Sequence, residues 1–284
     1  MAAITGGASN ILSFSASLSG RAVIPSTTTT DISFGVLYST SSGVLINTAI
    51  KIEAQSFDSN YNFTITADNL SAETTYYYRS YLSMGGTITY GEVKNFTTLA
   101  LPKPQSVDLG LSVKWASFNI GASKPEEYGR YFAWGDVVGQ TWDGSSWSGG
   151  GFYTYPSYQL DANNNLKPEY DAAHAILGGK WRMPTKAECE ELINNCTSNW
   201  TNINGVSGIL FTSKKSGYTD KSIFLPAAGV GYCSNVDAAG SDGLYWSSTF
   251  FSGDYAWYLY FDSDYVSTYL YSRYIGRSVR PVSE

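Results

Sequence analysis

Between Tyr258 and Tyr274 the chain places tyrosine at positions 258, 260, 265, 269, 271 and 274. A tyrosine offers a ring for stacking, a hydroxyl for hydrogen bonding, and a large contact area with two side-chain torsions to freeze. Tyrosine mixed with Ser, Asp and Gly is the composition of selected binding surfaces. The chemistry such residues support is non-covalent recognition. The competing reading is a half-buried sheet, because tyrosine also favours strands. In AWYLYF (256–261), alternation puts Tyr258 and Tyr260 on one face with Ala256. Trp257, Leu259 and Phe261 take the other face and read as core. In TFFSGDYA, Phe250, Phe251 and Tyr255 read as a loop, where adjacent phenylalanines are costly to expose unless they meet a partner. The candidate contact set is Phe250, Phe251, Asp254, Tyr255, Tyr258, Tyr260, Asp262, Asp264, Tyr265, Ser267, Tyr269, Tyr271, Ser272, Tyr274 and Ile275.

Other chemistries find little support. Asp262 and Asp264 in FDSDYVS suit a hairpin turn; calcium needs six or more oxygen ligands, and no dense acidic loop supplies them. The three cysteines, Cys189, Cys196 and Cys233, form no CxxC pair. Placed in one helix, Cys189 and Cys196 would lie about 10 Å apart along the axis at ~1.5 Å per residue, too far for a disulfide. They read as small buried residues. His174 is the single histidine, so a Cys/His zinc site is not expected, and no metal or cofactor is assigned. There is no GxSxG, HExxH, Walker loop or GxGxxG. Trp115, Trp134, Trp181, Trp246 and Trp257 read as core. Trp142 and Trp147, in a Gly/Ser-rich loop, read either as core or as a binding rim. Arg277 and Arg280 in RSVRPV read as residues that hold the last strand.

The elements that must position these residues are mainly strands. Charged residues make up 15% of the 284, against ~25% in an average globular protein, and aromatics also make up 15%. Net charge is −6, which excludes phosphate-neutralising nucleic-acid binding and disfavours anionic membranes. No stretch reaches the ~18 apolar residues of a membrane helix, so direct membrane insertion is not expected. Residues 1–10 read as an N-terminal tail. From 11 to 99, about seven short β-branched and aromatic runs, separated by turns such as SSG, DSNYN and MGG, suggest a β-sandwich. LALPKPQ carries Pro102 and Pro104, so 100–105 reads as a linker. A second domain follows from 106 to 284. Its clearest helix start is Thr185, three residues before Glu188, the spacing of a capping box. DAAHAIL reads as a shorter helix.

Two resemblances rest on quoted motifs. LSAETTYYYRSYLSMGGTITYGEVKNFTT resembles fibronectin type III modules of gut-bacterial surface proteins, through Leu70, Thr75, Tyr77, Tyr78, Arg79, Tyr81, Phe96, Thr97 and Thr98. The succession VDLGLSVKWASFNIG, YFAWGD, DAAHAILGGKWRMPTKAECEELI, SIFLPAAG, YWSST, AWYLYF and RSVRPV resembles the major-paralogue (FISUMP) domains. That family has the C-type-lectin-like fold, alongside the formylglycine-generating-enzyme domain and the phage major tropism determinant. The resemblance implies a helix pair supporting a small sheet, with the C-terminal strands as binding face. The expected fold class is therefore mainly β with an α+β C-terminal domain: a fibronectin/Ig-like sandwich followed by a C-type-lectin-like domain. The formylglycine-generating relatives use cysteines near the chain end, whereas the last cysteine here is Cys233, so oxidase activity does not carry over.

The segment from YWSST to the end also resembles the variable proteins of diversity-generating retroelements, common in gut Bacteroides and their phages. Adenine randomisation of AAY codons yields NNY codons, which cannot encode Lys, Glu, Gln, Met or Trp. From Ser222 to Ser283 the first four are missing, and the tryptophans are Trp246 and Trp257, at framework-like positions. The resemblance implies a variable region at about 245–276. Together these features point to a non-enzymatic adhesin that recognises a host cell-surface protein or glycan. The N-terminal domain would attach it to virion or fibre proteins. MAAITGGASNILSFS lacks signal-peptide character, and no lipobox cysteine is present, which favours a phage fibre, often trimeric, on a virion surface. A bacterial cell-surface ligand-binding protein is the alternative, and a carbohydrate-active or oxidase-like enzyme a weaker one.

Overall fold

The computed structural model describes residues 1–25 and 31–284. It is mainly β, and it divides into two compact units, Met1–Leu101 and Pro102–Glu284.

The first unit is a two-sheet sandwich. One sheet has the order β1–β2–β5, built from β1 (Ala2–Ser9), β2 (Ala16–Val23) and β5 (Asn62–Ala67). The other has the order β4–β3–β6–β7, from β3 (Ile32–Ser39), β4 (Ile50–Glu53), β6 (Thr75–Met84) and β7 (Thr87–Tyr90), and β8 (Lys94–Thr97) also pairs with β6. Alternation explains the packing. Phe63, Ile65 and Ala67 of NFTITA point inward while their neighbours stay exposed. They meet Leu18, Val36, Tyr78, Leu82 and Phe96 in one core. Arg79 faces away from that core. Its guanidinium lies 4.6 Å from the Tyr90 ring centroid, and Nε donates to the Gly91 carbonyl at 2.9 Å. Residues 1–10 are not a tail. Ala2–Ser9 pairs antiparallel with β2, and the Thr5 hydroxyl accepts the Ser80 amide at 3.0 Å across the sandwich. AAITGGAS carries too few bulky residues for its strand character to show in the sequence.

In the second unit a small sheet ties the beginning of the unit to the chain end. Its order is β11–β20–β10–β9, with β9 (Ser106–Val107), β10 (Lys114–Ala116), β11 (Trp181–Arg182) and β20 (Val282–Ser283). A long irregular segment precedes helix α1 (Ala172–Leu177), whose N-cap Asp171 is buried and accepts the amides of Ala173 and His174. Helix α2 (Lys186–Asn195) has the expected capping box: the Thr185 hydroxyl accepts the Glu188 amide, and the Glu188 carboxylate accepts the Thr185 amide. Such a cap is worth about 1 kcal/mol. Glu188 also takes two hydrogen bonds from Arg182, at 2.6 and 2.8 Å. The helix ends before Cys196, which is extended (φ −120°, ψ 154°) and opens β12, so the two cysteines do not share a helix.

Three further sheets follow. β12 (Cys196–Ile203), β13 (Val206–Ser213) and β14 (Ser222–Pro226) form a meander. β15 (Val230–Tyr232) and β16 (Asn235–Asp237) form a short ribbon. β17 (Gly243–Ser252), β18 (Tyr255–Phe261) and β19 (Val266–Ser272) form the sheet that carries the tyrosines, and α2 lies against all three of its strands. Trp115, Trp134 and Trp246 are fully buried, and Trp147 is buried among Tyr131 and Phe152. Trp142 packs against Trp147 and stays half-buried. Trp181 is half-buried. Arg280 is buried and each of its three side-chain nitrogens makes a hydrogen bond: Nε donates to Asn119 Oδ1 (2.8 Å), Nη1 to the Ala116 carbonyl (3.1 Å) and Nη2 to the Phe224 carbonyl (2.9 Å). It holds the chain end as expected. No helix among the described residues is long and apolar enough to cross a membrane.

Candidate ligand-binding face

Strand register sorts the fifteen candidate residues. Tyr258 stands opposite Tyr269, Tyr260 opposite Ser267, and Ala256 opposite Tyr271. With a period of two, Tyr258, Tyr260, Ser267, Tyr269 and Tyr271 share one face. Tyr269 is the hub, with ring centroids 6.2 Å from Tyr258, 5.8 Å from Tyr260 and 6.3 Å from Tyr265. Tyr265, Tyr269 and Tyr271 are 50%, 44% and 48% exposed. Tyr260 is half-buried, and its hydroxyl donates to Asp262 Oδ2 at 2.9 Å. Burial first, then that hydrogen bond, push the Tyr260 phenol well above its usual range.

Two members of the set are buried. Tyr258 is 8% exposed, packed in a cluster with Leu244, Trp246, Ala256 and Val279, and Ile275 is 1% exposed. Alternation assigned Tyr258 to the right face, but the chain folds a second layer over that end of it. Phe250 is also displaced from its expected role. β17 runs through it to Ser252, with Gly253 (φ 54°) at the turn, and its ring packs on Trp134 and Tyr158. Phe251 and Tyr255 remain exposed, but Phe251 packs on Trp257, 5.9 Å away, and Tyr255 alternates with Ala256, so they flank the opposite face. Trp257, expected in the core, is half-exposed with the Lys186 ammonium 4.4 Å from its ring centroid.

The acidic candidates are structural in part. Asp262 Oδ1 accepts the amides of Asp264 and Tyr265, both at 2.8 Å, and so closes the β18–β19 hairpin. Those amides, with the Tyr260 hydroxyl, hold its carboxyl below the usual range. Asp264 is exposed. Asp254 is exposed and pairs at 3.4 Å with the buried Arg273. Among the described residues no group of three or more His, Cys, Asp and Glu could hold a metal ion. Burial pushes the Cys189 thiol far up and the Cys196 thiol up to about 11, so both stay protonated at neutral pH.

Several surface aromatics escaped the sequence reading. Tyr232 is 44% exposed and Tyr155 45% exposed, and both rings contact Tyr274 at 6.2 and 5.3 Å. The Tyr155 hydroxyl also bonds Ser272 Oγ at 2.8 Å. The hydrogen bond with Tyr232, helped by burial, pushes the Tyr274 phenol up to about 12. Tyr153 and Tyr155 alternate in FYTYPSY, the signal that could have flagged them. Tyr232 lies far enough back in sequence that only the ribbon β15–β16 brings it to the face. Beside it a pocket of ≈ 360 Å³ is walled by Tyr232, Tyr258, Tyr271, Ile275 and Arg277 among others. The buried Tyr258 and Ile275 thus reach the site as pocket wall. Burial lowers the Arg277 guanidinium to about 10, still protonated at neutral pH.

Residues 197–282 match a family described as a domain of unknown function, DUF8237. A comparison with curated protein sequences gives no match. Among solved structures, the sensor domain of the anti-sigma factor RsgI4 from Pseudobacteroides cellulosolvens is similar at 23% identity. The match covers 35% of this chain and 94% of that one, with a TM-score of 0.25. A longer form of that sensor domain is similar at 22% identity over 37% of this chain and 94% of that one, with a TM-score of 0.27. A fibronectin type III domain of the human KIAA0970 protein is similar at 17% identity, over 34% of this chain and 73% of that one, with a TM-score of 0.27.

Proposed function

We propose that this chain is a non-enzymatic receptor-binding protein whose second unit recognises a host-surface ligand through the tyrosine face of β18 and β19. The observation that carries it is the exposure of Tyr265, Tyr269 and Tyr271, at 44–50% each, along the β18–β19 hairpin of a sheet backed by α2. Adjacent exposed aromatics mark interaction sites, and tyrosine anchors held on a packed scaffold lose little entropy on binding. The buried, protonated Cys189 and Cys196 thiols speak against thiolate chemistry. The motif resemblance of residues 107–282 supports a C-type-lectin-like variable protein diversified by a retroelement, displayed on a virion surface. Display on a bacterial cell surface is the second reading, favoured by the fibronectin-like motif of the first unit. The sandwich then serves as spacer and attachment module, and multivalent display raises avidity.

Fluorescently labelled chain, incubated with a panel of intact gut-bacterial strains and read by flow cytometry, tests the proposal. Saturable binding to at least one strain is expected, and the triple variant Tyr265→Ala/Tyr269→Ala/Tyr271→Ala should lose it. Binding to no strain, or equal binding by the variant, overturns it.

A further inference from the structure

The pocket beside Tyr271 contains a buried charge without a counter-charge. Arg277 is 1% exposed, and its Nε and Nη1 have no hydrogen-bond partner. Among the described residues no carboxylate pairs with it, whereas Arg182 and Arg273 each have one. Its guanidinium carbon sits 3.8 Å from the Tyr258 ring centroid, 4.4 Å from Trp246 and 5.0 Å from Tyr271. Three ring faces offset part of the desolvation of the cation, and the Tyr258 hydroxyl accepts one hydrogen bond from it, but Nε and Nη1 are left without an acceptor. Arg277 lines the pocket together with Tyr258 and Tyr271, so the charge forms part of its wall.

We infer that this pocket binds a carboxylate carried on a compact sugar ring, the acidic terminal residue of a glycan. The volume of ≈ 360 Å³ is near the lower end of the ~300–1,000 Å³ of small-molecule sites, so it takes one residue and not a chain. The mouth is framed by Tyr232 and Tyr271, 44% and 48% exposed, whose rings suit the faces of a sugar and whose hydroxyls suit its polar edge. Asp237, exposed on the same wall, can accept sugar hydroxyls. A bare peptide carboxylate would use the cation but leave these groups without partners. The inference rests on the reading of the tyrosine face as the ligand surface.

Calorimetric titration of the full chain with N-acetylneuraminic acid and glucuronic acid is the test, with glucose and N-acetylglucosamine as neutral probes and glycyl-aspartate as the peptide probe. The acidic sugars are expected to bind at least about tenfold more tightly than the neutral ones, as a site built around a charge requires. Asp237→Asn removes a like charge from an exposed position, where folding is not at stake, and should tighten acidic-sugar binding about threefold. Arg277→Met should abolish it. If that variant fails to fold, Asp237→Asn and Tyr271→Ala, the latter weakening binding about tenfold, carry the test. Equal binding of neutral and acidic sugars, no binding of either, or no response to Asp237→Asn overturns the inference. Tighter binding of glycyl-aspartate than of either sugar overturns the glycan class. If the acidic sugars fail while cells are still captured, only this inference falls; if cells are not captured, the reading beneath it falls too.

Discussion

Tyr258 and Tyr269 are a matched pair for separating scaffold from surface. They stand opposite each other on β18 and β19 with ring centroids 6.2 Å apart, yet one is 8% exposed and the other 44%. Removing a buried aromatic side chain costs ~3–5 kcal/mol through lost burial and the cavity left behind. Tyr258→Ala also strips one ring from the Arg277 cage, worth ~0.5–2 kcal/mol. Tyr269→Ala gives up edge contacts on an exposed face and should cost ~0.5–1 kcal/mol. For a unit of this size 1 kcal/mol moves Tm by ~2–4 °C. Tyr258→Ala should therefore lower the Tm of the second unit by ~7–28 °C, and Tyr269→Ala by no more than ~4 °C. Scanning calorimetry of the full chain reads both, with urea unfolding as a check. Two variants within about 2 °C of each other would refute the division into scaffold and surface.

Further outcomes follow from the buried polar groups. Arg280→Met takes the Arg280 donor from the Ala116 and Phe224 carbonyls and Asn119 Oδ1, and should destabilise by ~3 kcal/mol or more in urea unfolding, at ~1–3 kcal/mol per buried acceptor. Glu188→Gln weakens the capping box and the Arg182 pair, costing ~1–3 kcal/mol at neutral pH. Burial works to raise the Glu188 pKa, but the hydrogen bonds from Arg182 and the Thr185 amide overcome it and hold it below 4.5. A depressed carboxyl stabilises the fold above its unfolded value and stops doing so as pH falls through the folded one. The stability gap between the wild-type chain and Glu188→Gln should thus be full above about pH 5 and narrow as pH falls below 4.5 through the folded value, as read by urea midpoints across pH.

Local periodicity made much of the fold legible. The β-branched and aromatic runs separated by turns over 11–99 marked the sandwich strands, and the Thr185–Glu188 spacing gave the start of α2, because runs, turns and caps are properties of the chain's own few residues. β1 was invisible because, apart from Ile4 and Thr5, it consists of small residues with little strand preference, and it is held by pairing with β2. The site was half legible for a related reason. Alternation says which face a side chain takes, not what later lies over that face. Tyr265, Tyr269 and Tyr271 stayed open, whereas Tyr258 was roofed by Val279 and Arg277, and Ile275 turned inward beyond the strand end. The reverse holds for Trp257, which the same alternation assigned to the core and which is half-exposed under Lys186. Arg277, read only as a residue that holds the last strand, gave no sign that it is buried among rings without a carboxylate, since arginine in a sequence reads as surface or as an ion pair.

The most direct measurement is the DNA sequence around the coding region. A diversified face requires a nearby reverse transcriptase and a template repeat matching the codons of about 245–276 and differing only at adenines. The predicted differences fall at the codons of exposed or half-exposed residues such as Tyr255, Tyr265, Ser267, Tyr269, Tyr271 and Tyr274, and spare Leu259 and Phe261 of the core. A region with no such template, or with differences spread through the core codons, would contradict it.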